Sequence, residues 1–406
     1  AFADALREQY DALSAQGFRV LAVAHRDVTR QPTFTKEDER DLVLSGYIAF
    51  LDPPKESAAP AIAALEEAGI RVKVLTGDNE LVTRTICTLV HLPTTAEDVL
   101  LGADIAQMSD ADLRAVVDRI AIFARLAPED KARIIRALQA KGHVVGYLGD
   151  GINDAPALRA ADVGISAEGG VDVAREAADI ILLEKSLMVL QEGVLEGRKV
   201  FANILKYIRM GASSNFGNML SVLGASALLP FVPMAPIQVL MNNLLYDCSQ
   251  LPIPNDEVDP EQIARPRPWD IGEIGRYILT IGPLSSIFDY TTYAIMWFVF
   301  SARTPAHAAL FQTGWFVESL MTQTLIIHVI RTKKIPFLQS RPSWPLIAAT
   351  VTVMATGLWL PVSPFAAALG FVELPGAYWP LLALTLFCYV VLTQLVKTLL
   401  VRRHEL

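Results

Sequence analysis

The chain has 406 residues, 52% of them apolar, and a net charge of −8, which leaves room for about two or three domains with sizeable cores. This acidic balance leaves no basic footprint and no nucleic-acid-binding motif occurs, so nucleic acid is excluded as a partner. Three cysteines lie far apart without a CxxC pair, which indicates neither a disulfide framework nor a zinc site. Most charges precede Met210 and charge-free runs follow it, so we predict a soluble first half and a membrane second half.

The first predicted elements are a helix over residues 2–16, ended by Gly17, and a strand over FRVLAVAHR. A polar linker, TRQPTFTKEDER, then marks a boundary. From residue 41 onward, apolar strands alternate with amphipathic helices, and the strands are LVLSGYIAFL, VKVLT, IAIFA, VVGYL, VGISA and DIILLE. This alternation predicts a parallel sheet covered on both faces, with ligands at the carboxyl ends of its strands.

The second half opens with a charged helix, EGRKVFANILKYIRM, and no formal charge then occurs before Asp247. We predict a hairpin of two membrane helices there, broken at LPFVPMAP, and four further spans at about 277–300, 307–330, 343–362 and 378–398. Lys and Arg collect in the 251–276 and 331–342 loops and at the C-terminus. The positive-inside rule therefore predicts that these loops, the C-terminus and the soluble half are cytoplasmic in a multi-pass membrane protein.

Two polar turns follow predicted strands: TGDN begins at Thr76 and GDGIND ends at Asp154. Thr76 offers a hydroxyl and Gly77 a close backbone N–H, which suit phosphate oxygens. Asp150 and Asp154 repel each other unless a cation is present, and Mg²⁺ is bound through one or two carboxylates plus substrate phosphate. Lys131, in LAPEDKARII, could reach a phosphoryl group as a point charge.

Each of these segments has a structural alternative. TGD alone is commonly a turn with Asp as a helix cap, and a lysine at a helix start is commonly solvated. GDGIND differs because two carboxylates beside two glycines form a repulsive turn with no packing purpose. Together, in order on one α/β unit, the three segments favour a functional site.

TGDN, Lys131 and GDGINDAPAL closely resemble the phosphorylation domain of P-type ATPases, a branch of the haloacid dehalogenase superfamily. The resemblance implies a partial Rossmann-like α/β domain followed by an α-helical membrane bundle. It implies that Thr76 and Gly77 hold a phosphoryl group from ATP, that Asp78 belongs to the positioning motif, and that Lys131 neutralises the group.

The same resemblance implies that Asp150 and Asp154 bind a catalytic Mg²⁺ and that Asn153 supports the site. FLDPPKE, residues 50–56, is similar to the family's hinge between the nucleotide-binding and phosphorylation domains. The implied domains are a remnant of the nucleotide-binding domain (1–40), the phosphorylation domain (41–195), and a stalk with about six membrane helices (196–406).

The sequence departs from the family at the phosphorylated residue. The family forms an aspartyl-phosphate on the Asp of DKTGT, and no DKTG occurs in these residues. Asp52 follows a strand, but Pro53 and Pro54 replace the short turn that a nucleophile needs, so we assign Asp52 to the hinge. We therefore expect a C-terminal fragment of a pump, which alone neither autophosphorylates nor transports.

Polar groups within the apolar spans are candidate ion ligands, since an ionised Asp at the bilayer centre costs about 2.5 to 3.5 kcal/mol. Asn215 and Asn218 share one helix face, and so do Asn243 and Asp247. If the two helices face each other, these groups form an oxygen-only site suited to Mg²⁺ or Ca²⁺. The alternative is that the amides hydrogen-bond neighbouring helices.

Asp289 and Glu318 also lie in or near the spans, and they are open as ligands, access-path residues or interhelical partners. The stretch from SSNFGNM through MNNLLYDCSQLPIPND to FQTGWFVESLMTQTLIIHVIRTKKIPF resembles the bacterial magnesium-transporting P-type ATPases.

This resemblance implies ATP-driven magnesium transport through an aspartyl-phosphate intermediate, with Mg²⁺ and ATP as cofactors. It also implies that the lipid bilayer around the protein is the cell inner membrane. A pump of another cation, calcium or protons, would share every cytoplasmic motif. A membrane-anchored phosphatase of the haloacid dehalogenase superfamily would share the carboxylates, but it should carry a DxD nucleophile and needs no polar ion site.

Overall fold

The computed structural model describes residues 2–28, 33, 35–184 and 186–402. Part of the linker TRQPTFTKEDER lies outside these residues. The chain divides into two compact units, Ala1–Val194 and Leu195–Leu406. The predicted boundary at residue 195 lies beside this division, while the functional assignment of the domains stays a prediction.

The first unit begins with a helix, α1 (Phe2–Ala15), and a strand, β1 (Phe18–His25), both as predicted. Gly17 between them has a φ of +88°, the left-handed conformation that ends a helix. The next strand, β2 (Val43–Leu51), pairs antiparallel with β1 in a separate two-stranded sheet. The prediction that this strand belongs to the parallel sheet is therefore wrong, and the pairing crosses the predicted boundary at residue 40.

The segment that connects β1 to β2 explains why the two strands pair antiparallel. A parallel pair needs a long crossover, usually a helix, and the described residues between β1 and β2 hold only a 3₁₀ turn, Lys36–Asp38.

The rest of the first unit alternates helices and short strands, which run in chain order as α2 (Ala58–Glu67), β3 (Val74–Leu75), α3 (Glu80–Leu89), β4 (Val99–Leu101), α4 (Gly102–Gln107), α5 (Asp110–Val116), β5 (Ile122–Ala124), α6 (Pro128–Gln139), β6 (Gly146–Leu148), α7 (Ala155–Ala160), β7 (Val163–Ala167), α8 (Asp172–Ala177) and β8 (Ile180–Leu182). The strands form two three-stranded parallel sheets, ordered β3-β5-β4 and β6-β7-β8. The predicted parallel pairing is thus confirmed for five of the six predicted strands, although these lie in two separate sheets. Sequence analysis missed β4, α4 and α5, because three to seven residues show too little periodicity.

Helix α6 contributes to the cores of both sheets. Its Ile134 packs with Phe123 in one apolar cluster, and its Ile135 packs with Tyr147 in another. Leu75 and Val145 border both clusters. Within the described residues, hydrogen-bonded ladders do not join β3 to β6. Apolar packing therefore connects β3, which precedes TGDN, to β6, which precedes GDGIND.

The second unit is helical. A long helix, α9 (Met188–Leu228), contains the unit boundary, and the helices that follow are α10 (Pro236–Gln250), α11 (Pro260–Ile263), α12 (Ile271–Ala294), α13 (Ala308–Ile330), α14 (Trp344–Trp359) and α15 (Tyr378–Arg402). Six of these seven lie where membrane helices are predicted. Helices α9 and α12 approach closely at glycines, since a Cβ on Gly217 would lie 2.1 Å from Ser285 Oγ and 2.7 Å from the Gly282 carbonyl.

Of the described helices, two are long and apolar enough to cross a membrane by length and composition, Trp344–Val362 and Tyr378–Arg402. The structure thus shows a helical region with two candidate membrane spans, and the expected number of about six spans stays a prediction. Helix α10 has 15 residues, fewer than the roughly 20 that span a bilayer. Helices α12 and α13 carry Asp289 and Glu318 within their apolar stretches.

A buried ion network joins α9 to the loops around α11 and after α13. Asp256 Oδ2 accepts hydrogen bonds from Lys206 Nζ and Arg331 Nε, each at 2.8 Å, and all three side chains are at least 95% buried. Asp256 Oδ1 also accepts from the Ser343 N–H at 3.0 Å. Burial raises the pKa of Asp256, but hydrogen bonding and charge from Arg331 and Lys206 outweigh it, so the pKa lies below its ordinary value.

We expect Asp256→Asn to lower the free energy of unfolding of the second unit by about 3 to 5 kcal/mol, because it leaves two buried cations without an anion. Thermal unfolding followed by tryptophan fluorescence reports on this unit, since all six tryptophans follow residue 268. Glu261→Gln is the control: its partner Lys334 is also 2.8 Å away, but the Glu261 side chain is 66% exposed, so we expect a much smaller loss of unfolding free energy. Equal effects of the two substitutions would contradict the assignment.

Candidate functional site

Asp154 is the most constrained side chain of the GDGIND turn. Its Oδ1 accepts hydrogen bonds from Lys131 Nζ and the Tyr147 hydroxyl, each at 2.7 Å, and its Oδ2 accepts from the Gly151 N–H at 3.0 Å. The Lys131 and Asp154 side chains are each 13% exposed. The structure therefore brings together Lys131 and one carboxylate of the predicted pair, and it adds Tyr147, which sequence analysis missed because a tyrosine in a strand looks like ordinary core.

The electrostatics of Asp154 follow from these contacts. Burial raises the pKa of the carboxyl, while hydrogen bonds from Lys131, Tyr147 and the Gly151 N–H, with the charge of Lys131, lower it. The lowering contributions win, so the pKa of Asp154 lies below its ordinary value and the group is ionised at neutral pH. Burial, followed by the hydrogen bond to Asp154, raises the pKa of Tyr147, which keeps its hydroxyl a donor.

The first glycine of the turn is required by close packing. A Cβ on Gly149 would lie 2.7 Å from Asp154 Cβ, and 2.8 Å from both Asp154 Cγ and Tyr147 Cε1. Real Cβ atoms do not approach this closely, so a larger residue would displace the carboxylate.

Asp150 and Asn153 have exposed side chains on the same turn. The Asp150 carbonyl accepts from the Val171 N–H at 3.0 Å, which anchors the turn to the segment before α8. Two carboxylates on one short turn are a donor set that fits Mg²⁺, which takes one or two carboxylates and fills its remaining positions with water and phosphate. Their roles as magnesium ligands stay a prediction.

In the TGDN turn, Thr76 Oγ1 donates to Asp78 Oδ2 at 3.2 Å and accepts from the Asp78 N–H at 3.1 Å. Arg19 Nε of β1 donates to Asp78 Oδ1 at 3.1 Å. Asn79 caps α3, since its side chain accepts from the Leu81 N–H at 2.9 Å. The helix cap, proposed as the structural alternative for Asp78, is therefore supplied by Asn79.

A Cβ on Gly77 would lie 3.4 Å from the Leu126 carbonyl, which is ordinary contact. Local packing thus does not by itself require this glycine. The phosphoryl-holding roles of Thr76 and Gly77 stay a prediction.

The predicted ion ligands of the membrane half are differently placed. The side chains of Asn215, Asn243 and Asp247 are exposed. Asn218 is partly buried and its Oδ1 accepts from Gln323 Nε2 of α13 at 3.2 Å, which matches the interhelical alternative. Within the described residues, hydrogen bonds do not join the α9 pair to the α10 pair, so a site formed by these four stays a prediction.

The inward face of α10 carries the neighbouring asparagine. Gln238, Asn242, Tyr246 and Ser249 recur at helical spacing and are all at most 4% exposed. Asn242 Nδ2 donates to Ser319 Oγ at 3.3 Å. Of the adjacent residues Asn242 and Asn243, only Asn242 shares this helical spacing. The spacing could therefore have shown from the sequence that Asn242 is the buried one.

Asp289 is an interhelical partner. Its Oδ2 accepts from Ser221 Oγ of α9 at 2.6 Å, and its Oδ1 accepts from Trp315 Nε1 of α13 at 2.8 Å. Glu318 is fully buried and its carboxyl lies beside that of Asp289. The structure thus favours the interhelical alternative for Asp289.

The two units match two known families. Residues 3–162 match haloacid dehalogenase-like hydrolases, and residues 231–399 match the C-terminus of cation transporting ATPases. The predicted resemblance to P-type ATPases is confirmed. The haloacid dehalogenase-like segment precedes the cation-transporting ATPase segment, which is the order that the sequence predicts.

Several curated P-type ATPases are similar over nearly the whole chain. A magnesium-transporting ATPase, P-type 1, of Salmonella typhimurium is 57% identical over 97% of this chain, and its Escherichia coli counterpart is 56% identical over the same share. A calcium-transporting ATPase of Bacillus subtilis is 32% identical over 78% of the chain. The chain spans 44% of the length of the two magnesium-transporting relatives.

Replacing Lys131 by Met removes one of three donors to Asp154, so we expect the free energy of unfolding to fall by about 1.5 to 3 kcal/mol at pH 7. Because the folded pKa of Asp154 is depressed, its ionised form stabilises the fold above the unfolded pKa of about 3.9, and this contribution disappears as the pH falls through the folded pKa. As the pH is lowered from 7 into the acid range, the free energy of unfolding of Lys131→Met should therefore fall less than that of the wild type.

Hydrogen–deuterium exchange of residues 146–158, measured at pH 7 and in acid, reports the local stability of this turn. The exchange rates at each pH are first corrected for the pH dependence of intrinsic amide exchange. Lys131→Arg, which keeps the charge, is the control. Equal loss of protection in both variants would show that charge is not the stabilising factor.

We expect Gly149→Ala to destabilise the same turn by about 1 to 3 kcal/mol, since the added methyl overlaps Asp154 and Tyr147. Gly169→Ala is a matched control, because a Cβ there has nothing within 4 Å. Exchange protection around β6 should fall in the first variant only; unchanged protection in Gly149→Ala would contradict the packing argument.

Proposed function

We propose that this chain is part of an ATP-driven magnesium pump that forms an aspartyl-phosphate. The observation that carries the proposal is the Lys131–Asp154 pair on the GDGIND turn, together with its position in a chain similar to magnesium-transporting ATPases. The 44% coverage of those relatives supports placing the phosphorylated Asp outside these residues. The chain alone should then neither accept phosphate from ATP nor transport.

In this proposal, Asp150 and Asp154 hold the catalytic Mg²⁺, which when bound neutralises charge on the transferred phosphoryl group. Lys131 has two tasks: it balances Asp154 in the fold, and its ammonium provides positive charge for the phosphoryl oxygens. Tyr147 and the Gly151 N–H hold the Asp154 carboxylate in one orientation, which keeps the site preorganised. Thr76, Gly77 and Asp78 position the phosphoryl group, and Asn153 supports the turn.

The transported cation is proposed to bind through Asn215, Asn218, Asn243 and Asp247, whose oxygen atoms suit a hard divalent ion. Asp247 lies on an exposed face of α10, which leaves its carboxylate accessible to an ion. Six membrane spans, an inner-membrane location and a cytoplasmic first unit complete the proposal. Positive charge in the loops between helices supports this orientation.

A calcium pump is the second candidate, because the Bacillus subtilis calcium-transporting ATPase is also similar over most of the chain. An oxygen-only site accepts either ion. The proton pump and the membrane-anchored phosphatase have no comparable supporting observation.

The test uses two substitutions in the intact protein. Asp150→Asn should reduce phosphorylation from ATP by at least about 100-fold, because it removes one of the two proposed carboxylate ligands of the Mg²⁺ that stabilises charge in the transfer. Asp247→Asn should leave phosphorylation measurable but abolish growth that depends on magnesium uptake. Radiolabelled phosphate incorporation and growth on limiting magnesium are the measurements.

Cys248→Ser is the matched control for Asp247→Asn, since Cys248 is the adjacent exposed residue of the same helix. Unchanged growth with Asp247→Asn would remove this residue as a ligand. Unchanged phosphorylation with Asp150→Asn would contradict the assignment of Asp150 as a magnesium ligand. Stimulation of ATP hydrolysis by calcium added in the presence of magnesium would support the second candidate.

A further inference from the structure

We propose that the second unit contains a binding site for a neutral lipid with free hydroxyl groups. The site is a cavity of about 600 Å³ that lies between α13, α14, α15 and the segment 335–337. This volume falls within the range of roughly 300 to 1,000 Å³ that is typical of small-molecule sites. The proposal does not depend on which cation is transported.

The lining of this cavity favours a neutral ligand that is mostly apolar. Eleven of its fourteen lining residues are apolar, and the other three, His328, Thr350 and Gln394, are polar without a fixed charge. A charged headgroup would lose its hydration there without meeting a counter-charge, which is costly. The same cost favours the neutral form of the His328 ring.

The hydrogen bonds around His328 determine which of its ring nitrogens is free. Thr350 Oγ1 donates its single proton to the Leu346 carbonyl at 2.8 Å, so it accepts from His328 Nε2, which lies 3.0 Å away. In the neutral ring, Nε2 then carries the proton and Nδ1 is an acceptor. Nδ1 is buried and has no hydrogen-bond partner among the described residues. Because an unsatisfied buried acceptor is unfavourable, a donor on a bound molecule would stabilise this arrangement.

Gln394 of α15 offers a second acceptor. Its Nε2 donates to Thr398 Oγ1 at 3.4 Å, whereas its Oε1 is buried and has no partner in the part of the chain that the structure describes. His328 and Gln394 thus both present acceptors to the cavity's surroundings. A head with hydroxyl groups complements them because each hydroxyl donates a proton, whereas an ether or ester head only accepts.

The exposure of the cavity's lining indicates where the ligand comes from. Val351 of α14 and Leu395 of α15 line the cavity and are 60% and 57% exposed. Both helices lie in the segments that are long and apolar enough to cross a membrane. An apolar chain can therefore enter from the bilayer while its hydroxyl head binds His328 and Gln394. A lipid of the monoacylglycerol kind, with one acyl chain and two hydroxyls, fits this combination.

The experiment compares two photoactivatable probes on the intact protein in phosphatidylcholine nanodiscs, whose lipid has no hydroxyl donor. One probe is a monoacylglycerol with a diazirine in its acyl chain. The other is its di-O-methyl ether, which keeps the chain but loses both donors. Mass spectrometry maps the cross-links to residues 325–337, 347–354 and 390–395, and the probe concentration that gives half-maximal labelling is measured.

The test variant is His328→Phe, which removes the acceptor and keeps an aromatic ring. The matched control is His307→Phe, because His307 is exposed and lies outside the cavity. In the wild type and the control, we expect half-maximal labelling by the monoacylglycerol at a concentration about tenfold lower than by its ether. In His328→Phe this preference should fall to about threefold or less, since one acceptor is lost.

Equal half-maximal concentrations of the two probes in the wild type would overturn the site and identify the cavity as a groove that takes any acyl chain. A tenfold preference that persists in His328→Phe would overturn it as well. Tryptophan fluorescence melting checks the fold of each variant. Should His328→Phe unfold, Gln394→Met, which removes the second acceptor, takes its place with the same expected fall in preference.

Discussion

A carboxylate removed from water must be compensated by cations and hydrogen-bond donors, and each unit of this protein contains a carboxylate under that constraint. Asp154 in the α/β unit is held by Lys131, Tyr147 and the Gly151 N–H. Asp256 in the helical unit is held by Lys206 and Arg331. At Asp256 the two cations lie 50 and 75 residues away in sequence, and at Asp154 the cation lies 23 residues away on a separate helix. Satisfying each charge therefore fixes the relative position of several elements.

In the α/β unit this compensation also prepares the proposed chemistry. The Asp154 carboxylate is ionised and oriented before any ligand binds, and the close packing at Gly149 leaves it little freedom. Asp150 on the same turn is exposed, so one carboxylate is preorganised and the other is accessible. This division suits a phosphoryl-transfer site, where catalysis is mostly positioning and charge stabilisation.

In the helical unit, polar side chains divide into two sets. Asn242, Asp289 and Ser319 point inward and hydrogen-bond neighbouring helices, whereas Asn243 and Asp247 are exposed. The inward set stabilises helix packing, and the exposed set is free for ion binding in the proposed pump.

The amino-acid sequence alone determined the alternation of strands and helices, the positions of the long helices, the motifs of the family and the importance of the GDGIND turn, because periodicity and spacing are local properties. Only the tertiary structure decided that β2 pairs antiparallel with β1, that Tyr147 and Lys131 both bind Asp154, and that Asn242 is the buried asparagine. These outcomes depend on which surfaces meet when distant segments pack. Two neighbouring residues of a helix lie on different faces of it. The periodicity of the sequence cannot tell which of the two faces is buried unless the surface that packs against the helix is known.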